Sequence, residues 1–179
     1  MSQLPTTLTE PLDPLTGFRV REQFIADLTA ALEPGSPPRT LAVFDLVGLS
    51  EHRRSFGERA SDELIARLAE AFARVVVPAG SCYRPRRDEF CSLVAGRIDE
   101  ADGANLLPEA ARALLEAGEG SLTSSWFGAC LLPEEAADPI EALMLADERL
   151  LVRSDHRASR ERRHGERRGD SGSQHAPDR

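Results

Sequence analysis

The chain has 179 residues, of which 41% are apolar, and it carries a formal net charge of −8. This length fits one ordinary domain with some additional tail. The acidic balance argues against a nucleic-acid binder, so we expect no specific nucleic-acid partner. The N-terminus lacks the basic and apolar regions of a signal peptide, and no stretch approaches the roughly 20 apolar residues of a membrane span. We therefore expect a soluble, cytoplasmic protein with no membrane partner.

The three cysteines, Cys82, Cys91 and Cys130, do not form metal-ligand pairs, and an odd number makes a poor disulfide framework. Cys82 and Cys91 flank a predicted hairpin turn and could face each other across its two strands. Buried, reduced thiols are the favoured interpretation, because free cysteine behaves as a small hydrophobic residue.

The first part of the chain predicts an arm, a helix and a buried strand. Residues 1–11 are rich in threonine and proline and are typical of a flexible N-terminal arm. Apolar residues at helical spacing predict a helix over residues 19–33, which the Pro/Gly-rich residues 34–38 end. Residues 41–47 are a nearly continuous apolar run, as in a strand buried on both faces. Asp45, near its end, is costly to bury without a partner.

The remaining sequence predicts more helices and strands in one α/β domain over residues 12–154, an α+β sandwich with helices on a central sheet. A short helix over residues 51–56 is broken by Gly57, and a second helix follows over residues 59–76. A β-hairpin follows, with apolar, strand-like sequence on both sides of its tip, in residues 75–77 and 91–94. We expect a helix over residues 99–118, a strand over residues 122–132 and a last helix from Pro139.

The C-terminal segment over residues 155–179 has no apolar periodicity and holds seven arginines against five acidic residues. This composition predicts an Arg-rich, disordered tail. Such a tail could contact an anionic surface or RNA, although a solvated chain end is the favoured interpretation.

The predicted hairpin tip places Arg86 and Arg87 directly before two carboxylates, Asp88 and Glu89. Mg²⁺ takes one or two carboxylates in such a position and leaves its other ligand positions to water and phosphate oxygens. An isolated charged tip is more often a solvated turn. Other segments of the chain must therefore decide between a site and a turn.

Four segments together resemble the GGDEF domain family, the diguanylate cyclases and their degenerate relatives. Asp13-Pro14-Leu15-Thr16-Gly17-Phe18 resembles the DxLTGL opening, and residues 44–49 resemble the first strand and loop of the family. Residues 84–90, ending in RRDEF, resemble the GGDEF hairpin, and residues 146–151 resemble the ADxALY helix. The resemblance covers residues 13–153. It implies the palm-like fold of nucleotidyl cyclases, with a central, mostly antiparallel sheet flanked by helices.

The resemblance implies a magnesium site at Asp45, Asp88 and Glu89, with Mg²⁺ present only together with a bound nucleotide. Two carboxylates from adjacent strand ends are suited to metal ions that bridge phosphates. In an active enzyme Asp88 and Glu89 would be the catalytic residues. Glu89 would assist metal binding or the deprotonation of the attacking 3′-hydroxyl. If the site is only a relic, Asp45 and Asp88 are expected to pair with Arg86 or Arg87.

The resemblance also implies a nucleotide site. The backbone N–H groups of Gly48, Leu49 and Ser50 would cradle the β- and γ-phosphates, because successive amides form an anion-binding nest. Asp62 matches the family's guanine-reading aspartate. Arg153 lies beside the position of a phosphate-binding lysine, which is a serine here.

Several family residues are replaced. Arg53 stands where the family has a guanine-reading asparagine, and it offers hydrogen-bond donors only. Arg86 and Arg87 replace both hairpin glycines, which would permit a positive φ and a close approach of the nucleotide. Arginine can also bind phosphates, so these residues could belong to a modified nucleotide site. The family's product-inhibition motif is absent from residues 77–80.

These features favour a stand-alone, degenerate GGDEF protein of cyclic-di-GMP signalling. It would lack diguanylate cyclase activity and act as a receptor for GTP or cyclic di-GMP, or as a protein-interaction module. The first alternative is an active diguanylate or related nucleotide cyclase that uses GTP and Mg²⁺. The second is a pure scaffold that binds no nucleotide and contacts a protein partner through its domain surface or its Arg-rich tail. A homodimer is compatible with the first two hypotheses, because family cyclases join two GTP molecules across two facing domains.

Overall fold

A computed structural model describes residues 11–98, 106–121 and 124–151. These residues form a four-stranded sheet and four helices, which confirms the predicted α+β class. None of the described helices combines the length and the apolar character needed to cross a bilayer. The elements in chain order are α1 (Arg21–Ala31), β1 (Arg39–Val47), α2 (Leu49–Val76), β2 (Gly80–Arg86), β3 (Glu89–Ala95), α3 (Leu106–Ala117), β4 (Ser124–Leu132) and α4 (residues 139–151).

The sheet has the strand order β2-β3-β1-β4, and every neighbouring pair is antiparallel. β1 lies inside the sheet, and its residues 40–44 are all buried, as its apolar run predicts. Helices α2 and α3 cover one face with residues such as Phe72 and Leu114. Helices α1 and α4 cover the other face with residues such as Phe24 and Ala146. The two apolar layers fix the sheet, and one end of it carries the candidate site.

Helix α2 contains the predicted break. Gly57 lies inside it with φ 84° and ψ 175°, a conformation that residues with a Cβ rarely adopt. The predicted helices over residues 51–56 and 59–76 are therefore two parts of one kinked element. The strand-like assignment of residues 75–77 is wrong, because α2 extends to Val76 and β2 begins at Gly80. Val76 follows Phe72 at helical spacing, and both side chains are fully buried in the same core.

Helix α4 packs unusually close to β4. A Cβ atom at Gly128 would lie 1.9 Å from the backbone oxygen of Ala146, so only glycine allows this contact. Asp138 caps the helix, because its Oδ1 accepts the N–H groups of Ile140 at 2.8 Å and Glu141 at 2.9 Å. One side of α4 is thus fixed to the sheet, and its orientation is set at the first turn.

The three cysteines are free and buried, which agrees with the prediction of reduced thiols. In the β2–β3 ladder Tyr83 pairs with Cys91, and Cys82 pairs with Ser92. Cys82 and Cys91 therefore point to opposite faces of the sheet, because side chains alternate along a strand. A disulfide across this hairpin is excluded.

Candidate functional site

Two of the predicted metal ligands meet where β1 ends beside the tip of the β2–β3 hairpin. Asp45 pairs with Glu89 in the β1–β3 ladder, and the N–H of Leu46 donates to the backbone oxygen of Asp88 at 3.1 Å. Asp45 and Glu89 are partly buried, whereas Asp88 is exposed. The ladder places acidic residues of both elements at one end of the sheet, as the resemblance implies.

The environment of Asp45 and Glu89 disfavours the charged forms of these two carboxylates. Burial raises the pKa of Asp45, and the nearby charge of Asp88 raises it further. Burial also raises the pKa of Glu89, which Arg86 lowers and Asp147 of α4 raises. Asp147 was not predicted as part of the site. Because the acidic charges outweigh the basic ones around Asp45, a cation at this end of the sheet would be attracted.

The residues present fit a magnesium–nucleotide complex better than a metal ion held by protein alone. Among the described residues, no group of three or more His, Cys, Asp and Glu side chains is arranged to hold a metal ion. Mg²⁺ needs only one or two carboxylates when phosphate oxygens and water supply the other ligands. Asp45 and Asp88 provide such oxygen donors, and the charge of Asp88 acts on Asp45.

The hairpin tip accommodates its arginines without backbone strain. Arg87 and Asp88 form the turn, and Arg86 pairs with Glu89 across it, with 3.2 Å between Nη1 and Oε2. Glu119 is the one described non-glycine residue with a positive φ, so none of the tip residues needs the conformation that glycine would permit. The effect of arginine rather than glycine at positions 86 and 87 is therefore steric and electrostatic, because the backbone there does not require glycine.

Glu58 bridges two arginines from different elements, and we name Arg53, Glu58 and Arg87 the Glu58 clamp. Nη2 of Arg87 lies 2.5 Å from Oε1 of Glu58, and Nε of Arg53 lies 3.1 Å from Oε2. The second contact is an ion pair without hydrogen-bond geometry, since Nε of Arg53 is buried without a hydrogen-bond partner. The clamp joins the hairpin tip to the first part of α2.

The expectation that Arg86 or Arg87 pairs with Asp45 or Asp88 is not met. The carboxylate partner of Arg86 is Glu89, and that of Arg87 is Glu58. The two acids expected to hold Mg²⁺ are thus not neutralised by these guanidiniums. Asp45 and Asp88 are therefore not joined to Arg86 or Arg87 in a salt-bridged turn.

Arg84 joins the hairpin tip to the opening motif of the chain. Its Nη1 lies 3.1 Å from Oδ1 of Asp13, and its Nη2 donates to the backbone oxygen of Arg87 at 3.0 Å. Thr16 donates its N–H and its hydroxyl to the same Asp13 oxygen at 2.9 and 2.7 Å. Burial raises the pKa of Asp13, but the hydrogen bonds from Thr16 and the charge of Arg84 lower it below its usual value. The opening motif therefore holds Arg84 in position, and Arg84 in turn holds the hairpin tip.

The predicted phosphate cradle lies at the N-terminus of α2. Gly48 precedes the helix with φ 108° and ψ −17°, and no side chain caps the first turn. The N–H of His52 makes the bond to the Gly48 oxygen at 2.9 Å. The N–H groups of Leu49 and Ser50 precede this bond and have no acceptor within the helix. A helix N-terminus of this kind attracts anions.

The remaining predicted site residues lie farther along the chain. Asp62 is partly buried in α2, after the break at Gly57. Its neighbour Ser61 is fully buried, with Oγ 3.2 Å from Nδ1 of His52. Arg153 lies outside the described residues, so its predicted role stays a prediction.

The sequence comparisons identify the family. The family model described as "Diguanylate cyclase, GGDEF domain" matches residues 11–160. The chain therefore belongs to the GGDEF domain family. None of the proteins with curated functions matches the chain significantly.

Solved structures share the fold at low identity. The GGDEF domain of YfiN (TpbB) from Pseudomonas aeruginosa is 23% identical, with a TM-score of 0.67 over 79% of this chain and 87% of that one. The GGDEF domain of DgcB from Caulobacter crescentus, solved with c-di-GMP, is 22% identical, with a TM-score of 0.67 over 81% and 90%. The cyclase SiaD from Pseudomonas aeruginosa, solved with its activator SiaC, is 17% identical, with a TM-score of 0.65 over 81% and 58%.

Proposed function

We propose that this protein is a degenerate GGDEF module of cyclic-di-GMP signalling that binds a guanine nucleotide without diguanylate cyclase turnover. The observation that carries the proposal is the Glu58 clamp, because it holds Arg87 away from Asp45 and Asp88 and leaves both acids without an arginine partner from the hairpin tip. Asp45 and Asp88 keep the metal-binding chemistry, while Arg53 and Arg87 are drawn to a carboxylate of the chain itself. The ligand is Mg²⁺-bound GTP or cyclic di-GMP.

Nucleotide binding is supported by groups of two kinds at the same end of the sheet. Asp45 and Asp88 would hold Mg²⁺, which neutralises the phosphate charge and orients the triphosphate. The N–H groups of Leu49 and Ser50 at the start of α2 would donate hydrogen bonds to phosphate oxygens. Glu89, partly buried behind the tip, would assist the metal ligands.

The loss of turnover follows from the groups that replace the family's asparagine and glycines. Phosphoryl transfer depends almost entirely on positioning and electrostatic stabilisation. Arg53 cannot reproduce the mixed donor and acceptor pattern of an amide. Arg87 has a long side chain, and its Nη2 lies 2.5 Å from Oε1 of Glu58. We infer that Glu58 competes with the phosphates for both arginines, so that binding is weakened and the reacting groups are misplaced.

The structural relatives support the ligand and the partner of this proposal. DgcB was solved in complex with c-di-GMP, and SiaD was solved in complex with its activator protein SiaC. This chain shares its fold with DgcB and SiaD and belongs to the GGDEF domain family. Cyclic di-GMP is therefore a second ligand to test. A protein partner, or a second copy of this chain, would transmit the bound state.

An active cyclase is the second candidate, and the environment of Glu89 favours it. Burial raises the pKa of Glu89, and a raised carboxylate pKa suits a general base that must accept a proton from a hydroxyl group. Under this hypothesis Asp88 and Glu89 are catalytic. Product formation from GTP separates the two candidates.

The test is a calorimetric titration of the full chain with GTP in excess Mg²⁺, followed by chromatographic product analysis. We expect saturable binding that is lost in Asp45→Ala and retained in Glu70→Ala. Glu70 is an exposed acid on the opposite part of α2 and pairs only with nearby Arg74 in the described contacts. We expect no cyclic di-GMP after prolonged incubation.

Cyclic di-GMP is titrated in the same way, so that the two ligands are compared directly. Abundant cyclic di-GMP from GTP would overturn the proposal in favour of the active cyclase. The absence of heat with either nucleotide would overturn nucleotide binding itself and would favour the pure scaffold.

A further inference from the structure

The outward side of α4 carries an exposed apolar stripe. Ile140 is 71% exposed, Met144 is 67% exposed and Leu151 is 62% exposed. Their spacing of four and seven residues places them on nearly one line along the helix, with the exposed Asp147 on the same line between Met144 and Leu151. The line is about 16 Å long, since a helix rises about 1.5 Å per residue. We name these three residues the α4 stripe.

A shallow cavity beside the α4 stripe has an acidic rim. It has a volume of about 600 Å³, and its ionisable lining residues are all carboxylates. Glu135 pairs with Arg149, and Asp138 caps the helix. Glu141 accepts the N–H of Ala137 at 2.7 Å through Oε2, and both Glu141 and Glu148 are exposed on the rim. The lining residues are Glu135, Asp138, Ile140, Glu141, Met144, Leu145 and Glu148.

The α4 stripe differs from the other large exposed apolar residues in the described part of the chain. Leu12, Phe56, Val77 and Leu115 lie in separate parts of the chain. Isolated exposed apolar residues are normal on protein surfaces, whereas grouped ones beside a polar rim mark interaction sites. The exposure of three apolar residues on one side of one helix therefore indicates an interaction surface, whereas the isolated residues do not.

We propose that the α4 stripe and its rim are a docking surface for an amphipathic, basic helix of a partner protein. The apolar side chains of such a helix would cover Ile140 and Met144, in the way that helices lie in apolar grooves. Arginine or lysine side chains beside its apolar face would meet Glu141 and Glu148. Complementary charge of this kind fixes orientation and excludes partners of the wrong sign.

Other occupants fit the surface less well. A second copy docked through the same face would bring a second set of carboxylates against the first, and like charges repel across an interface. The chain's own segment over residues 157–168 has six arginines, but Ala158 is its only apolar residue apart from glycine. This composition complements the acidic rim in charge but supplies too few apolar side chains to cover the α4 stripe.

The test is a selection from a random library of 16-residue peptides displayed on phage, with the full chain as the target. Selected peptides are then synthesised, and their affinities for variants are measured by fluorescence anisotropy. We expect basic sequences with apolar residues at helical spacing. Binding should weaken at least about fivefold in Ile140→Gln and in Met144→Gln, because each removes an anchor. Val77→Gln, which alters an exposed apolar residue just after the end of α2, should leave the binding unchanged.

Each other result would overturn the proposal. The contrary results are the absence of enriched peptides, enrichment of acidic or uncharged peptides, and equal binding to the Met144→Gln variant. Peptides that bind only after the six arginines of residues 157–168 are changed to serine would assign the surface to the chain's own tail. The test uses no nucleotide, so this proposal, which adds a partner class to the proposed function, can fail or stand separately from it.

Discussion

The hairpin end of the sheet and the outer side of α4 use charge in opposite ways. At the hairpin end, guanidinium groups and carboxylates of the chain pair with one another, as in the Glu58 clamp and the Arg84–Asp13 pair. On α4, apolar side chains stay exposed and the rim has one sign of charge. The arginines of the first region pair with carboxylates of the chain itself, whereas the second region leaves its apolar side chains exposed.

The comparison separates arginines that pair within the domain from apolar residues that stay exposed on its surface. Arg53 and Arg87, for which the family resemblance implies nucleotide contacts, pair with Glu58 within the domain. Helix α4 keeps its firm attachment to the sheet through Gly128, so its outer side is available without any change in the fold. The predictions that follow test the ion pairs of the hairpin end separately from the exposed surface of α4.

The largest effect is expected from Arg84→Ala at the hairpin end. The Arg84 side chain is only 9% exposed and its partner Asp13 only 20%, so removal of the guanidinium leaves a poorly solvated carboxylate. We expect a loss of about 3 kcal/mol in the free energy of unfolding, measured by urea denaturation. Arg112→Ala, which removes an exposed pair with Glu116, should change it by less than about 0.5 kcal/mol. Equal effects of the two variants would contradict a structural role for Arg84.

A smaller effect is expected from Asp138→Ala, which removes the cap of α4. Two N–H groups lose their side-chain acceptor, and the expected cost is about 1 kcal/mol of unfolding free energy. Binding of any nucleotide at the hairpin end should not change, because the cap lies on another part of the domain. Glu148→Ala is the matched control on the same helix. A change in nucleotide affinity without a change in stability would show that the two regions are coupled.

The ion pair between Glu135 and Arg149 should make stability depend on pH below neutrality. Hydrogen bonds from Arg149 lower the pKa of Glu135 to about 2, although burial opposes them. A carboxyl group with a lowered pKa contributes stability above its unfolded pKa, and the contribution is lost as pH falls from about 4.5 to about 2. Because the side chains are 35% and 41% exposed, we expect only about 0.5–1 kcal/mol.

The measurement for this pair compares thermal unfolding of the native chain with Glu135→Gln at several pH values. The native chain should be more stable at pH 7, and the difference should disappear near pH 2. A difference that stays constant over this range would mean that the charge of Glu135 makes no contribution.

The smallest effect on stability is expected from Ile140→Gln and Met144→Gln. Both side chains are mostly exposed, so each change should alter the unfolding free energy by less than about 0.5 kcal/mol. Leu150→Ala, on the buried side of the same helix, should cost about 2 kcal/mol. A large loss in the glutamine variants would mean that the α4 stripe packs within the domain and is not a docking surface.

Much of the fold follows from the sequence because its local patterns agree with its packing. The apolar run over residues 41–47 predicted β1, and Gly57 predicted the break in α2. The pattern failed over residues 75–77, because valine favours strands locally whereas Val76 continues the apolar side of a helix. Local preference and helical spacing conflicted there, and core packing decided the outcome.

The candidate site was predictable only in part. The proximity of Asp45 to the hairpin tip follows from the order of strands that the family resemblance implies. The contact of Arg87 with Glu58 spans 29 residues, and that of Arg84 with Asp13 spans 71. Neither spacing belongs to a helix or a strand, so no periodicity in the sequence could indicate these pairs. They depend on how the hairpin packs against its neighbours.

The most direct test of the account is a calorimetric titration of Glu58→Gln and the native chain with GTP in excess Mg²⁺. Glutamine keeps the shape of Glu58 but loses the charge that holds Arg53 and Arg87. We predict binding about three- to tenfold tighter in the variant, because both guanidiniums become available to phosphate. Glu63→Gln, an exposed neighbour on α2, should match the native chain. Equal or weaker binding by Glu58→Gln would contradict the claim that the chain's own carboxylate competes with the nucleotide.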